Sequence, residues 1–228
     1  MNRPSPVGQK EGRSRRECCR SFTLVELLVV MGIFALLMTI AVPTFLKRSP
    51  TVAAHGALLR LKSTIALARQ WAVTRRQITY VVFPEDNSSF VGAPQLAATA
   101  MRGYNIFTME DGWLNDWQFL PVGFVFSRTH GEGENLLSTT STSDRVFNIP
   151  FPLTNSPLHT MRCISFTPDG RLNQNGGTTL QVVFTPGTID ANAQTGAVSN
   201  YLAVTNAPAF GLRIRPLTGR QAVVEYNP

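Results

Sequence analysis

The longest apolar run of the chain lies near its start. From Leu27 to Leu46, 20 consecutive residues carry no charged side chain. An α-helix of that length rises about 30 Å, which is the thickness of the hydrocarbon core of a bilayer. The pattern therefore predicts that residues 22–46 form a transmembrane helix, in which Glu26 is the only charged residue.

After this run, the apolar positions follow a helical spacing. Ser49 and Pro50 form a favourable helix start, so the helix could break and begin again there. A cationic amphipathic helix can lie on a membrane, but a stripe of alanine and leucine is more typical of a face packed on a sheet. We expect residues 47–76 to form such an amphipathic helix. Its predicted buried stripe is Ala54, Leu58, Leu61, Ile65, Ala68 and Ala72.

From residue 77 the pattern is typical of β-structure. Short segments rich in Val, Ile, Phe and Thr are separated by Gly, Pro, Asn and Asp, as expected for antiparallel strands joined by turns. Residues 131–143 and 186–200 are polar and are expected to be mobile loops. The predicted fold class is α+β, with a long N-terminal transmembrane helix packed on an antiparallel β-sandwich-like head over residues 77–228. The predicted strands are Ile78–Phe83, Tyr104–Met109, Trp117–Leu120, Phe124–Ser127, Arg145–Ile149, Met161–Thr167, Thr178–Phe184, Tyr201–Thr205, Leu212–Arg215 and Ala222–Tyr226.

The net charge of +7 is concentrated at the N-terminus. Residues 1–21 contain six basic and two acidic side chains, a charge of +4, which leaves +3 for residues 22–228. Basic residues ahead of an apolar run favour a cytoplasmic N-terminus, with the rest of the chain across the membrane. A cleaved secretory signal fits less well, because the run is longer than an h-region and a charge stands at its entrance.

The position of Glu26 suggests a function for that charge. A carboxylate within a membrane helix costs about 2.5–3.5 kcal/mol at the bilayer centre, so such a residue is by default a functional candidate. If the chain were cut between Ser21 and Phe22, Glu26 would be the fifth residue from a new α-amino group. Its carboxylate could then neutralise the amine of its own chain or of a neighbour, which would set the register between parallel apolar helices.

The segment Ser21-Phe-Thr-Leu-Val-Glu-Leu-Leu-Val-Val30 resembles the cleavage and N-methylation motif of type IV pilins and type II secretion pseudopilins. The resemblance implies that a prepilin peptidase removes residues 1–21 and methylates the amine of Phe22. It also implies that Glu26 is the carboxylate used in filament assembly and that Pro43 kinks the helix. The family usually has glycine before the cut, and Ser21 departs from that pattern.

Three segments of the head narrow the resemblance to the GspH and FimT groups of minor subunits. They are Trp117-Gln-Phe-Leu-Pro-Val-Gly123, Ile164-Ser-Phe-Thr-Pro-Asp-Gly-Arg-Leu172 and Leu212-Arg-Ile-Arg-Pro-Leu-Thr-Gly-Arg220. These motifs are less specific than the N-terminal one, since a strand that ends in a turn has the same pattern. The resemblance implies a β-rich head carried by the helix, not a separate enzyme.

Other candidate chemistry is sparse. His55, His130 and His159 stand alone without a second ligand at metal spacing, so we expect no metal, no cofactor and no catalytic residue. Cys163 lies in an apolar strand and is expected to be a buried thiol. The pair Trp113 and Trp117 is expected to pack in the core or at a sheet edge rather than to stack on a ligand.

Three arginines near the C-terminus are the remaining nucleic-acid candidates. Arg213 and Arg215 are predicted to share one face of a strand, and Arg220 follows in the next turn. Three phosphate contacts would give only weak, salt-sensitive binding, so these residues could at most form a weak DNA contact, and DNA is not expected as a partner.

The sequence therefore predicts a minor pseudopilin of a type II secretion system, not an enzyme. It would be a single-pass inner-membrane protein with a cytoplasmic N-terminus and a periplasmic head. The expected partners are other pseudopilins or pilins, the prepilin peptidase, the inner-membrane assembly platform and membrane lipid, with secreted cargo as a further candidate. The alternative is a FimT-like type IV minor pilin that acts in pilus assembly, adhesion or DNA uptake.

Overall fold

A computed structural model describes residues 23–46, 50–85, 97, 99–130, 134–138, 145–151, 158–173, 179–192 and 198–226. The chain divides into two units, Met1–Arg48 and Ser49–Pro228. The predicted leader, residues 1–21, lies outside the described residues, as do Ser21 and Phe22 at the predicted cut and Ser49 at the predicted helix start.

The first unit contains the helix α1, Leu24–Leu46. It continues through Pro43, whose side chain lies outside the described part of the structure. Every described side chain of α1, as far as Thr39, is exposed. Within the described residues, no helix meets both the length and the apolarity that crossing a membrane requires.

The second unit begins with the helix α2, Pro50–Arg75. Proline suits the first position of a helix, because its missing N–H would have no intrahelical partner there. The six residues of the predicted stripe are all buried, at 2% exposure or less, and Ala57 extends the stripe. The prediction that this face packs on a sheet is confirmed.

Two sheets follow α2 in the chain. The first contains β1 (Thr79–Phe83), β2 (Gly103–Thr108), β3 (Gly112–Trp113), β4 (Gln118–Phe119), β7 (Arg145–Pro150) and β8 (Leu158–Phe166). The second contains β5 (Phe124–Phe126), β6 (Glu134–Asn135), β9 (Leu180–Ala191), β10 (Val198–Ala203), β11 (Ala209–Ile214) and β12 (Gln221–Tyr226).

The pairing of the strands is almost entirely antiparallel. In the first sheet, β1 lies between β2 and β8, while β3 and β4 pair with β2 and β7 pairs with β8. In the second, the long strand β9 pairs with β5, β10 and β11, and β12 pairs with β11. The one departure among the described pairings is β6, which runs parallel to β9. The predicted α+β class is confirmed.

The main core lies between α2 and the two sheets. It joins the buried stripe of α2 to Val81 and Ile164 of the first sheet and to Val182 and Leu212 of the second. A second cluster covers the opposite face of the first sheet and includes Cys163, with Trp113 and Trp117 packed against it. Alternate residues of a strand point to opposite faces, so the first sheet buries both of its faces.

Two of the predicted loops are partly wrong. Within 131–143, the pair Glu134–Asn135 forms β6, and Leu136 and Leu137 are buried. Within 186–200, β9 continues to Ala191 and β10 begins at Val198. The physical reason is a close approach at Gly187, where a Cβ would lie 2.5 Å from the Leu202 carbonyl oxygen and 2.5 Å from Val125 Cγ2. Only glycine allows β9 to pass between its neighbours at that point.

Tyr104 gives the stability of the main core a testable pH dependence. Its side chain is fully buried, and among the described residues its hydroxyl has no hydrogen-bond partner. Burial raises the pKa of Tyr104 to about 12, against the opposing effect of the Arg60 charge. The folded state therefore holds this proton more firmly than the unfolded state does. Titration of Tyr104 therefore leaves the free energy of unfolding unchanged below pH 10 and lowers it as the pH rises from 10 to about 12.

We expect Tyr104→Phe to remove this loss, so that its free energy of unfolding falls less steeply than that of the wild type above pH 10. At neutral pH the variant should be as stable as the wild type or more stable, by about 1 kcal/mol, since it no longer buries a hydroxyl without a partner. Tyr201→Phe is the opposite control, because the Tyr201 hydroxyl donates to the Phe126 carbonyl oxygen at 2.6 Å and its loss should destabilise. Urea unfolding of the full chain in detergent, followed by tryptophan fluorescence, measures all three proteins. Equal slopes for wild type and Tyr104→Phe between pH 10 and 12 would contradict the assignment.

Candidate assembly surfaces

The surface of α1 is apolar on every side. Large aliphatic and aromatic side chains from Leu24 to Met38 are exposed by 39–83%. A helix that is apolar all round is stable only when lipid or other helices cover it. This surface therefore requires an apolar environment that the chain does not provide by itself within the described residues.

Glu26 lies in the first turn of α1. Its backbone N–H donates to Thr23 Oγ1 at 3.2 Å, which makes Thr23 the N-cap of the helix. The spacing Thr23-x-x-Glu26 also matches a capping box, in which the glutamate supports the helix start. The exposed carboxylate stands at the positive end of the helix, where it is free to meet a cation from outside.

The exposed face of α2 carries a second surface, which we call the outer stripe. Its members alternate four and three positions apart, the spacing of a seam between two helices, and every one is exposed and uncharged. Arg60 borders this seam on one flank, and Lys62 and Arg69 border it on the other. The outer stripe consists of Val52, Gly56, Leu59, Ser63, Ala66, Gln70 and Val73.

A basic pocket opens beside the outer stripe, between α2 and the turn that joins β11 to β12. Its volume is about 270 Å³. Lys62, Ala66 and Arg69 share one face of α2, at positions i, i+4 and i+7, and contribute two of its charges. Arg220 provides the third, and no acidic residue is among the described residues that line the pocket. The lining residues are Lys62, Ala66, Arg69, Gly219, Arg220 and Gln221.

Arg69 also joins α2 to two turns of the head. Its Nε donates to the Gly170 carbonyl oxygen at 2.9 Å. Gly219 packs against the Arg69 side chain, since a Cβ at Gly219 would come within 2.8 Å of Arg69 Cδ and Nε. Gly170 and Gly219 both have positive φ, at 77° and 61°. Glycine at these positions therefore allows the backbone to turn, in addition to allowing the close contact with Arg69. The two glycine-arginine turns of the predicted head motifs are thus held together by one arginine of the helix.

The turn before Gly170 is ordered by its own polar groups. The Thr167 hydroxyl donates to Asp169, and Arg171 Nε lies 3.0 Å from Asp169 Oδ2. The hydrogen bond from Thr167 is the main reason that the pKa of the Asp169 carboxyl is lowered. Arg171 therefore already faces a carboxylate, whereas no described carboxylate lies within 4.0 Å of the three cations of the basic pocket.

The three predicted DNA contacts do not form one cluster. Arg220 lines the basic pocket, and Arg215 stands at the other end of the same turn, where its N–H donates to the Arg220 carbonyl oxygen at 2.9 Å. Arg213 is half-buried on β11, opposite Ala222 and Gln181 in register. The strand β11 ends at Ile214, so Arg215 does not continue the face of Arg213.

One buried ion pair of the head was not predicted. Arg162 on β8 is only 2% exposed, and its Nε lies 3.2 Å from Glu85 Oε1. Its Nη2 donates to the Ser138 carbonyl oxygen at 3.1 Å. The sequence offered one signal, an arginine flanked by apolar residues within a predicted strand. It does not show the partner, because Glu85 lies 77 positions away in the chain.

The histidines are structural. His55 Nδ1 lies 3.7 Å from Glu225 Oε1, and His130 bridges the Ser127 hydroxyl and the Thr205 carbonyl oxygen at 2.7 and 2.9 Å. His159 packs on Phe151, and burial lowers the pKa of its ring. Among the described residues, no group of three His, Cys, Asp or Glu side chains could hold a metal ion.

The predictions for Cys163 and for the two tryptophans can be compared with the structure. Cys163 is a free thiol and is fully buried, as predicted. Trp113 and Trp117 pack against each other with ring centroids 4.9 Å apart, and Trp113 Nε1 donates to the Pro150 carbonyl oxygen at 3.1 Å. The prediction that they pack rather than bind a ligand is consistent with this arrangement.

Comparison with protein families gives two matches. The family described as prokaryotic N-terminal methylation motif matches residues 17–42, which contain Ser21, Phe22 and Glu26. The family described as type II transport protein GspH matches residues 57–207, which is more than half of the chain and includes the outer stripe from Leu59 onward. Neither curated proteins nor solved structures give a match. The second match favours secretion over the pilus alternative.

Proposed function

Because this chain belongs to the GspH family of type II transport proteins, and is therefore a minor pseudopilin of a type II secretion system, we propose that it enters the pseudopilus through its N-terminal helix. Members of this family associate with other pseudopilins and are structural proteins, not enzymes. The methylation motif makes the chain an inner-membrane anchored protein.

We propose that the prepilin peptidase cuts between Ser21 and Phe22 and methylates the Phe22 amine. The supporting observations are the basic segment before the cut, the apolar run after it, and the motif match over residues 17–42, which spans the cut and most of the apolar run. Removal of residues 1–21 lowers the net charge from +7 to +3 and removes two of the three cysteines. The basic balance is then mainly a signal for topology and processing.

For the membrane arrangement, we propose a single span over residues 22–46, with the N-terminus in the cytoplasm and residues 47–228 in the periplasm. The distribution of basic residues supports this orientation. The helix is uncharged over a length of about 30 Å, which supports the span. The exposed apolar surface of α1 is then covered by lipid before assembly and by neighbouring helices after it.

The observation that carries the assembly proposal is the combination of that apolar helix with one carboxylate in its first turn. Apolar helices alone slide against one another, because no contact prefers one axial position. A Glu26 carboxylate paired with the Phe22 amine of a neighbour would fix that position. We propose that the outer stripe of α2 is a second surface on which a neighbouring subunit packs.

The assembly platform of the inner membrane would take up the processed chain, and the head would face other minor subunits or the cargo. These roles follow from the proposed orientation, since the head then stands on the side to which cargo is delivered. A kink at Pro43 would bend the membrane-spanning helix itself, because proline cannot donate the backbone hydrogen bond expected there.

The mass of the mature chain tests the processing step. We expect a chain that begins at Phe22 and carries one additional methyl group, when the protein is isolated from the membranes of a cell with an active prepilin peptidase. In a strain without the peptidase, the same chain should keep residues 1–21. Mass spectrometry of the intact protein distinguishes the two forms. A mature chain that still begins at Met1 would overturn the proposal.

A further inference from the structure

The basic pocket concentrates positive charge without an anion of its own. Lys62, Arg69 and Arg220 line it, together with uncharged residues. Within the described ranges, no carboxylate lies within 4.0 Å of any of these three cations. Like charges that share a pocket repel one another, so the arrangement becomes more favourable when an anion binds among them.

The pocket is built rather than incidental. Arg69 is held in place by its hydrogen bond to the Gly170 carbonyl oxygen and by its contact with Gly219. Gly219 itself lines the pocket, and its positive φ turns the chain so that Arg220 follows directly at the rim. The head thus places one arginine opposite two cations of the helix.

The pocket is also continuous with the outer stripe. Ala66 belongs to the stripe and lines the pocket, and Lys62 and Arg69 flank the stripe on that side. A neighbouring subunit that packs on the stripe would therefore have its next surface residues directly over the pocket. An acidic side chain at that position would gain charge-assisted hydrogen bonds from lysine and arginine donors.

We propose that the basic pocket receives the carboxylate of an aspartate or glutamate from the neighbouring pseudopilin, and that this ion pair fixes which subunit packs on the outer stripe. The inference rests on the proposed assembly through the helix. A pair of this kind adds specificity and orientation to a contact that is otherwise made of uncharged residues.

A nucleic-acid ligand fits the same observations less well. Duplex DNA presents a row of phosphates, and binding it requires a track of cations along a surface. Here Arg213 lies half-buried on β11, outside the pocket, and Arg171 already faces Asp169. Arg215, at the other end of the turn from Arg220, does not line the pocket either. Lys62, Arg69 and Arg220 instead converge on one small space, which matches a single carboxylate.

Lys62 makes the proposal directly testable, because it is the only lysine in residues 49–228. A carbodiimide joins a lysine amine to a carboxyl group that touches it. We expect treatment of membranes that hold the assembled system to link Lys62 to an aspartate or glutamate of another pseudopilin, as identified by mass spectrometry. Lys62→Arg keeps the charge and should lose the link. The matched control Arg60→Lys/Lys62→Arg moves the amine to the other flank of the outer stripe and should not restore it.

Co-purification with the other pseudopilins separates this inference from the proposed function. We expect Lys62→Glu/Arg220→Glu to reduce co-purification about fivefold. Arg75→Glu, a charge reversal at the C-terminal end of the same helix and outside both the pocket and the outer stripe, should have little effect. If the wild-type chain co-purifies but Lys62 gives no link to another subunit, the pocket proposal is wrong and the assembly proposal stands. If the chain does not co-purify at all, the assembly proposal is wrong, and so is the pocket proposal that rests on it. Binding of duplex DNA by the full chain that Lys62→Glu abolishes would also overturn the carboxylate assignment.

Discussion

Glu26→Leu is expected to reduce incorporation of the chain into the pseudopilus at least about tenfold, while anchoring in the membrane is retained. The substitution replaces the only charged residue of α1 with an apolar one. Insertion should therefore become easier rather than harder. What is lost is the partner of the neighbouring amine, which would remain charged among apolar helices.

The size of the effect depends on which role of Glu26 dominates. As a capping residue at the positive end of α1, its carboxylate contributes about 0.3–1 kcal/mol. The cap hydrogen bond to Thr23 Oγ1 uses the backbone N–H of residue 26, so it survives any substitution there except proline. An uncompensated charge in an apolar interface costs several kcal/mol. Loss of the inter-subunit pair should therefore outweigh loss of the cap.

Co-purification of the chain with other pseudopilins from detergent-solubilised membranes measures incorporation. Glu26→Gln tests the charge alone and should behave like Glu26→Leu. Val25→Leu is the matched control, since it changes an exposed neighbour on the same turn without changing charge. Wild-type incorporation of Glu26→Leu would show that the carboxylate does not set the register.

Local periodicity was sufficient to predict the helical part of the fold. The spacing from Ala54 to Ala72 identifies the buried face of α2, because the packing of a helix on a sheet needs only one continuous apolar stripe. The same spacing also leaves the outer stripe on the opposite face. That second stripe is less visible in the sequence, since Gly56, Ser63 and Gln70 are not apolar residues.

Strand segments were also predictable, but their extents and partners were not. Each of the ten predicted strands overlaps an observed one, while the two-residue strands β3 and β6 were missed. Such short segments have no periodicity of their own and exist because a neighbour offers free backbone groups. The C-terminal half of β9 was mistaken for a loop because Pro186 and Gly187 usually break strands, whereas here glycine permits the close approach of β5 and β10.

The candidate sites also differ in how far the sequence alone predicts them. Ser21, Phe22 and Glu26 lie within the N-terminal motif that matches residues 17–42, and Pro43 follows it directly, so the sequence alone is enough to propose them as sites. The basic pocket joins residues 62–69 to residues 219–221, and the Arg69 contact with Gly170 spans 101 positions. Contacts between elements so far apart depend on sheet topology, which a single sequence does not specify.

Arg162→Met is expected to destabilise the head by about 3–5 kcal/mol, which is a large part of the stability of a typical domain. The substitution leaves Glu85, which is only 6% exposed, without the Arg162 guanidinium. Arg162 lies on the same face of β8 as Ile164 and Phe166 of the main core, so water cannot readily replace the lost cation. The destabilised head should be degraded or aggregate before it reaches the pseudopilus.

The double variant Arg162→Met/Glu85→Leu shows whether charge or volume is responsible. Replacing both partners by apolar residues of similar size removes the buried charge and is often neutral or stabilising. We therefore expect the double variant to recover most of the stability lost by Arg162→Met, and the two effects to be strongly non-additive. Urea unfolding of the full chain in detergent measures the free energies of unfolding. Arg171→Met, which removes an exposed ion pair, is the control and should change the free energy of unfolding by less than about 1 kcal/mol. If Arg162→Met and Arg171→Met cost the same, the buried pair has no special role in the fold of the head.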